Sequence, residues 1–402
     1  MKKSIAPDTN QVKKNAPEAP ETGSRLGNNA KYSTPPQIHA VLQGAENTLP
    51  DLGEIENYRV FRYALQSVAR SFLFGSRTSK CHRIKARKDS SIACLWSEPA
   101  NRASYANLQT CGSVWACPVC ASKIGEQRRI ELKSIIEAHK AAGGGVALVT
   151  RTVPHSQFDT LSDLLQRVTK AQGKYTAGKG YKTFKERWGV VGSVRALETT
   201  TGGNGWHPHY HEILFFRDSL DQGETIPLKH ELFSKWESAC LRSGISAPSW
   251  EHGLDCQDAS YASSYVSKWG ADSELTKAHT KRGRNGSYTP FDLLRLALLS
   301  SDPAVAQAAG SLFKEYAAEF RGKRQLVYSN GLKKLYDLTE FSDEEIAEKV
   351  DPESQLLGAF TDEQWKQVLK YGRGHFLELL ETKKRQGKTY PFALSIQQIT
   401  EV

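Results

Sequence analysis

No stretch of about 18 apolar residues occurs anywhere in this 402-residue chain, so no segment is suited to cross a bilayer as a helix. The opening MKKSIAPDTNQVKK lacks the apolar centre of a signal peptide. The expectation is a cytoplasmic protein with no membrane partner. Acidic residues are outnumbered, 44 against 54 Lys plus Arg, which leaves a net charge of +10 and a pI near 9.1. Such a surplus favours a polyanionic partner such as nucleic acid. Cysteine is sparse and odd in number, seven in all, which argues against a disulfide framework and for reduced thiols that ligate metal. No internal repeat is visible, and the length exceeds that of a usual single domain, so two or more units are expected.

Pro, Asn, Ser, Lys and Glu crowd residues 1–50 with few aromatics. That composition cannot bury enough apolar surface to offset ordering entropy, and it reads as a disordered arm. Residues 51–140 begin with the helical spacing of YRVFRYALQSVARSFLF, hold a cysteine-rich element, and end in IGEQRRIELKSIIEAHKAA. There Ile130, Ile135 and Ile136 sit among charges as on an amphipathic helix. Residues 141–275 alternate strand and helix: VALVTRTVP, FDTLSDLLQRVTKAQ, WGVVGSVRALETT and, after the glycine turn TGGNG, GWHPHYHEILFF. Consecutive strands joined by a glycine turn predict an α+β fold, an antiparallel sheet with flanking helices. Residues 276–345 read as a helical C-terminal region in which TPFDLLRLALL opens at a Thr-Pro start signal, and residues 346–402 as a helical tail.

In CGSVWACPVC, Cys111, Cys117 and Cys120 are spaced so that the final C-P-x-C turn can grip one ion, a zinc-knuckle element ahead of the sheet. A closed zinc site needs a fourth ligand. Cys81 would tie two distant segments together; His82 and Cys94 are the alternatives. Lys123, Arg128 and Arg129 follow at once, which suggests a basic helix aimed at a phosphate backbone. The loop KAHTKRGRNGSYTP adds Lys281, Arg282 and Arg284 as further cations for DNA.

Side chains alternate along a strand, so His209 and His211 share one face and Tyr210 takes the other. His207 has the same parity, although Pro208 marks an edge or a strand's first residues. Glu198, at the end of the preceding strand, is placed to lie across the hairpin from His209. Two imidazoles and an oxygen suit Mg²⁺ or Mn²⁺ with open water positions, and imidazole also accepts zinc. In SYASSYVSKWG, Tyr261, Tyr265 and Lys268 fall on one helical face, with Ala262, Val266 and Trp269 as a second stripe suited to packing on the sheet. A phenol needs a neighbouring cation or base to react near neutral pH, which Lys268 or a metal ion could provide.

These motifs resemble the replication initiators (Rep proteins) of bacterial rolling-circle plasmids, members of the histidine-hydrophobic-histidine (HUH) endonuclease superfamily. ALVTRTVPH looks like their first motif, HPHYHEILFF their metal motif and YASSYVSKW their nucleophile motif, in the family's order. CGSVWACPVCASKI, TPFDLL and RGKRQLVYSNGLKKL are similar to the family's cysteine motif and C-terminal region. The resemblance implies an HUH nuclease core with metal histidines on a central strand. It implies nicking of one strand at the plasmid's double-strand origin, single-stranded or cruciform at the nick, to give a 5′-phosphotyrosine and a free 3′-OH. It implies Tyr265 as primary nucleophile with Lys268 beside it, Tyr261 as a second nucleophile, and a host helicase as partner. Two rival readings are a histidine-triad nucleotide hydrolase, which leaves the cysteines and tyrosines unused, and a zinc-stabilised DNA-binding regulator without catalysis.

Overall fold

The computed structural model describes residues 39, 41–42, 58–220, 222–258, 262 and 286–387. Tyr261, Tyr265, Lys268, Lys281, Arg282 and Arg284 lie outside the described residues. In chain order the elements are α1 (Tyr58–Phe72), α2 (Arg77–Lys80), β1 (Ala93–Ser97), β2 (Arg102–Ala106), α3 (Pro118–Ala141), β3 (Gly145–Arg151), α4 (Leu161–Tyr175), α5 (Gly178–Arg187), β4 (Val190–Gly202) and β5 (Gly205–Phe216). There follow α6 (Thr225–Leu241), β6 (Leu254–Gln257), α7 (Pro290–Leu299), α8 (Pro303–Glu319), β7 (Leu326–Tyr328), α9 (Leu332–Leu335), α10 (Asp343–Glu348), β8 (Gln355–Ala359), α11 (Asp362–Tyr371) and α12 (Arg373–Arg385). The fold is α+β with antiparallel sheets. Among the described residues no helix is long and apolar enough to cross a membrane.

The larger sheet has the order β6-β3-β5-β4-β7, every neighbour antiparallel. Its centre is the β4–β5 hairpin, which pairs Gly202 with Gly205 and continues in unbroken register past Glu198 opposite His209. Gly205 is obligatory at this turn: its φ is +85°, and a Cβ there would sit 2.8 Å from the Ser156 carbonyl oxygen. Alternation along β5 then sorts the two faces. Ile213 and Phe215, of the same parity as the histidines, meet Leu132, Ile135 and Ile136 of α3 together with Ala262. Tyr210, Leu214 and Phe216 turn the other way, onto Leu164, Leu165 and Val168 of α4 and Leu228, Leu232 and Trp236 of α6. Ile130 departs from its expected inward position. It is half exposed, because 130 lies well around the helix from the buried pair 135 and 136.

That second face also buries a charge. Arg151 is wholly inaccessible; its guanidinium lies 2.5 Å from Glu212, donates to Gln172 Oε1 at 2.9 Å, and sits 4.3 Å from the Tyr175 ring centre. A lone charge there would cost several kcal/mol, so the pair, amide and ring act together. α7 starts as TPFDLL predicts: Thr289 and Asp292 form a reciprocal capping box with Pro290 in the first turn.

The C-terminal stretches expected to be helical also contribute strands. β7 edges the large sheet, and β8 completes a second one of order β2-β1-β8. Trp96, Tyr105, Phe360, Trp365 and Phe376 form the core of this smaller sheet. The buried Glu381 carboxylate accepts from the Ala103 amide at 2.7 Å and pairs with Arg59. Residues 355–381 are thus joined to residues 59–106. Within residues 1–50, His39 and Leu42 are buried, and His39 Nδ1 lies 3.0 Å from Thr201 Oγ1.

Candidate metal centres

Four cysteines converge at the start of α3. Cys117 is its N-cap, Cys120 lies in its first turn, Cys81 follows α2, and Cys111 precedes Gly112, whose φ is +63°. Their sulfurs lie 3.5 Å apart for Cys81–Cys120 and 3.7 Å for both Cys111–Cys120 and Cys117–Cys81. Tetrahedral bonds of roughly 2.3 Å to one ion would place sulfurs about 3.8 Å apart, so the cage fits a tetrathiolate site. All four residues are buried.

The choice of Cys81 as fourth member holds geometrically. Cys94 lies in β1, in the smaller core, where burial pushes its thiol up to about 12. His82 turns its ring toward Tyr63, Nδ1 to hydroxyl 3.2 Å. Burial opposes ionisation of Cys117, but hydrogen bonds from Cys111, Cys120 and Cys81 hold it well below the ordinary thiol value. Two partners were not visible in the sequence. Gln66 of α1 donates to Cys117 Sγ at 3.2 Å, and the buried Arg373 donates to Gln66 Oε1 at 2.6 Å and to the His82 carbonyl at 2.9 Å.

The basic residues after the knuckle make contacts within the protein itself. Arg128 is buried and holds Glu131 at 2.9 Å and Asp343 at 3.1 Å. Lys123 donates to the Ala347 and Lys349 carbonyls, and burial lowers its pKa to about 8. Arg129 forks onto Glu126 at 2.6 and 2.8 Å.

The second centre is built on the hairpin. Glu198 Oε2 lies 3.7 Å from His209 Nε2 and 3.6 Å from His211 Nε2. Those gaps exceed a normal hydrogen bond and match groups that share one ion between them. Both imidazoles are oriented from behind. His211 Nδ1 lies 2.9 Å from Thr150 Oγ1 of β3, and His209 Nδ1 lies 3.0 Å from the His207 carbonyl. Bonds at Nδ1 leave Nε2 directed at the carboxylate. Burial pushes His211 down to about 4, with Glu198 only partly opposing. Burial would also lower His209, but the Glu198 carboxylate raises it above the ordinary value.

His207 lies beside this cluster, its ring centre 5.1 Å from that of His209, but is not one of the three grouped ligands. Its ring stacks on His155 with centres 4.7 Å apart, and burial, reinforced by His209 and His155, lowers it to about 3. The geometry therefore assembles Glu198, His209 and His211 as one possible ligand set without His207. All three are partly exposed, unlike the cysteines, so the site is open on one side. His155 and Thr150 were missed; both lie in ALVTRTVPH, the segment read as a first motif.

The profile of the family described as Replication protein matches residues 103–371. A Streptomyces lividans protein named Protein rep is 27% identical over 350 residues, 70% of this chain and 76% of that protein. A Streptomyces cyanogenus protein named Neomycin resistance protein is 29% identical over 189 residues, 39% of this chain and 43% of that protein. No solved structure matches.

Proposed function

The chain belongs to the Replication protein family, and from that premise we propose that it initiates rolling-circle replication of a plasmid by nicking one strand of origin DNA. The observation that carries this reading is the single carboxylate held 3.6 and 3.7 Å from two imidazoles on the central hairpin of the sheet. A metal ion, Mg²⁺ or Mn²⁺, would be held by Glu198, His209 and His211, and when bound it supplies positive charge to a phosphate oxygen at the scissile bond. Thr150 and the His207 carbonyl fix the two rings so that this charge is placed before substrate arrives.

In this reading Tyr265 provides the nucleophile. Its oxygen bonds to phosphorus, the 3′ oxygen departs and takes up a proton, and a 5′-phosphotyrosine and a 3′-OH primer result. The phosphodiester energy is retained in the new ester. Lys268 stabilises negative charge on the phenol, and Tyr261 acts in a second cleavage. Support comes from Ala262, inside the same motif, which is buried against Ile213 and Phe215 on the face that carries the histidines. At the knuckle, four thiolates suit a closed Zn²⁺ site with a structural role. Origin DNA and a host helicase are the partners of this reading.

Incubation with Mn²⁺ and a supercoiled origin plasmid is expected to leave protein covalently joined to the nicked strand, with the peptide adduct mapping to Tyr265. His209→Ala with His211→Ala is expected to abolish it. An adduct that survives Tyr265→Phe combined with Tyr261→Phe rejects the nucleophiles. Tight origin binding by the wild-type protein with no adduct in Mn²⁺ favours a DNA-binding regulator instead.

A further inference from the structure

The face of the large sheet turned away from the histidines holds a charged group that the site described above does not use. The side chains of Arg151 on β3 and Glu212 on β5 are 0% and 2% exposed, and one guanidinium nitrogen donates to Glu212 Oε2 at 2.5 Å. The other terminal nitrogen donates to Gln172 of α4, while the ring centres of Tyr175 and Trp236 lie 4.3 and 5.6 Å from the guanidinium. Leu164, Val168, Leu228 and Leu232 belong to the apolar core on this face. Replacing a buried ion pair in such surroundings by apolar residues of similar volume is often neutral or stabilising. Global stability therefore does not account for this pair.

Its place in the register does. Thr150 lies opposite His211, Arg151 opposite Tyr210 and Val149 opposite Glu212. The ion pair thus runs diagonally from β3 to β5, across the back of the rung whose front carries the contact of Thr150 with His211. Alternation along each strand sets the two contacts back to back, since Arg151 adjoins Thr150 and Glu212 adjoins His211. β4 adds a second arm. Arg195 lies opposite Glu212, and its guanidinium sits 5.3 Å from the Tyr210 ring centre, with that of Arg151 at 5.9 Å. Tyr210, the residue between His209 and His211, is buried and is held by a cation from each neighbouring strand.

We propose that Arg151 and Glu212, helped by Arg195, are positioning residues that clamp β5 from behind and set the ring of His211 through Thr150. A ring that donates from Nδ1 to Thr150 Oγ1 keeps its Nε2 lone pair for an ion, and a ring released from that contact does not. The proposal rests on the metal reading of the hairpin for one of its two readouts; the other is taken in metal-free protein.

Removing one partner would leave a buried charge unpaired and destabilise the sheet, so Arg151→Met is made together with Glu212→Leu in the full chain. This double variant is expected to melt at or above the wild-type temperature. In protein labelled with ¹⁵N-histidine and free of metal at the hairpin, the His211 signals are identified by their loss in His211→Asn. They are expected to show a single tautomer in wild type and a mixture in the double variant. Mn²⁺ affinity, measured by calorimetry, is expected to fall about 10-fold. Thr150→Val alone should cost about as much, and adding it to the double variant should cost little more, because both changes act on one ring. Independent effects would multiply to about 100-fold.

A folded double variant that keeps the wild-type tautomer and an Mn²⁺ affinity within about two-fold of wild type overturns the clamp, as does a loss of about 100-fold in the triple variant. If the double variant does not fold, Arg195→Met, at a partly exposed side chain that leaves the ion pair in place, carries the test through the same readouts. Wild-type behaviour there overturns the clamp. A wild-type protein that binds no Mn²⁺ while its ring responds as expected sinks the metal reading and supports the clamp.

Discussion

The cysteine cage and the histidine cluster are both sets of metal-capable side chains, yet they are built in opposite ways. Four soft donors from two segments, Cys81 and Cys111 to Cys120, close on each other, all of them buried. Glu198, His209 and His211 come from one hairpin and stay partly exposed. A closed tetrahedral cage leaves no position for substrate, whereas three ligands on one face of a hairpin leave one side free. Burial and ligand count therefore set the two apart: the cage draws two segments of the chain together, and the hairpin leaves its three side chains partly exposed.

The strongest way to break this contrast is to remove metal from the cage. Structural zinc contributes apparent binding energies on the order of 10–16 kcal/mol. Chelation, or Cys117→Ser, is expected to expose the segment between Cys81 and Cys120 to protease and to lower the melting temperature sharply. An unchanged melting profile after complete metal removal would strip the cage of its structural role.

A smaller effect concerns protons. In metal-free protein His211, near 4, and His207, near 3, bind fewer protons when folded than when unfolded, where histidine titrates near about 6.5. Stability linked to them is full above about pH 6.5 and is lost as pH falls toward 4. The raised His209 has the opposite sign, its share present below about 6.5 and lost as pH climbs through its folded value. Burial also lowers His39 and His82 to about 4, so four lowered histidines against one raised predict a net loss on acidification on the order of a few kcal/mol. Urea midpoints between pH 7 and 4.5 check this, and His211→Asn should flatten the curve. A midpoint independent of pH in both proteins would sever the link.

The smallest effect sharpens the contrast. Thr150→Val removes the partner of His211 Nδ1 and is expected to weaken Mn²⁺ at the hairpin about 10-fold, the lower end for such supporting groups. Metal at the cysteines should be unaffected. Calorimetric titration that finds equal Mn²⁺ affinity would mean the ring is held by something else.

The hairpin centre was legible in the sequence because its geometry is local. A glycine turn fixes register, register fixes parity, and Glu198 falls opposite His209 without reference to the rest of the chain. The cysteine cage was legible because three donors lie within ten residues, and the search for a fourth had few candidates. What escaped notice depends on distant partners. β8 finds β1 across some 260 residues, and the run around 355–359 carries no strand signal strong enough to predict that pairing. Arg128 looked like a surface cation until Asp343 arrived from the far end of the fold. The motif YASSYVSKW, apart from Ala262, falls outside the described residues.

The hydrogen-bonded line Arg373–Gln66–Cys117 also has a consequence in time. All four sulfurs have been synthesised by residue 120, whereas Arg373 appears 253 residues later. At ribosomal rates of about 5–20 residues per second, that interval is roughly 13–50 s. The sulfurs can therefore gather, and fill, while the nascent chain still lacks the arginine that seals them.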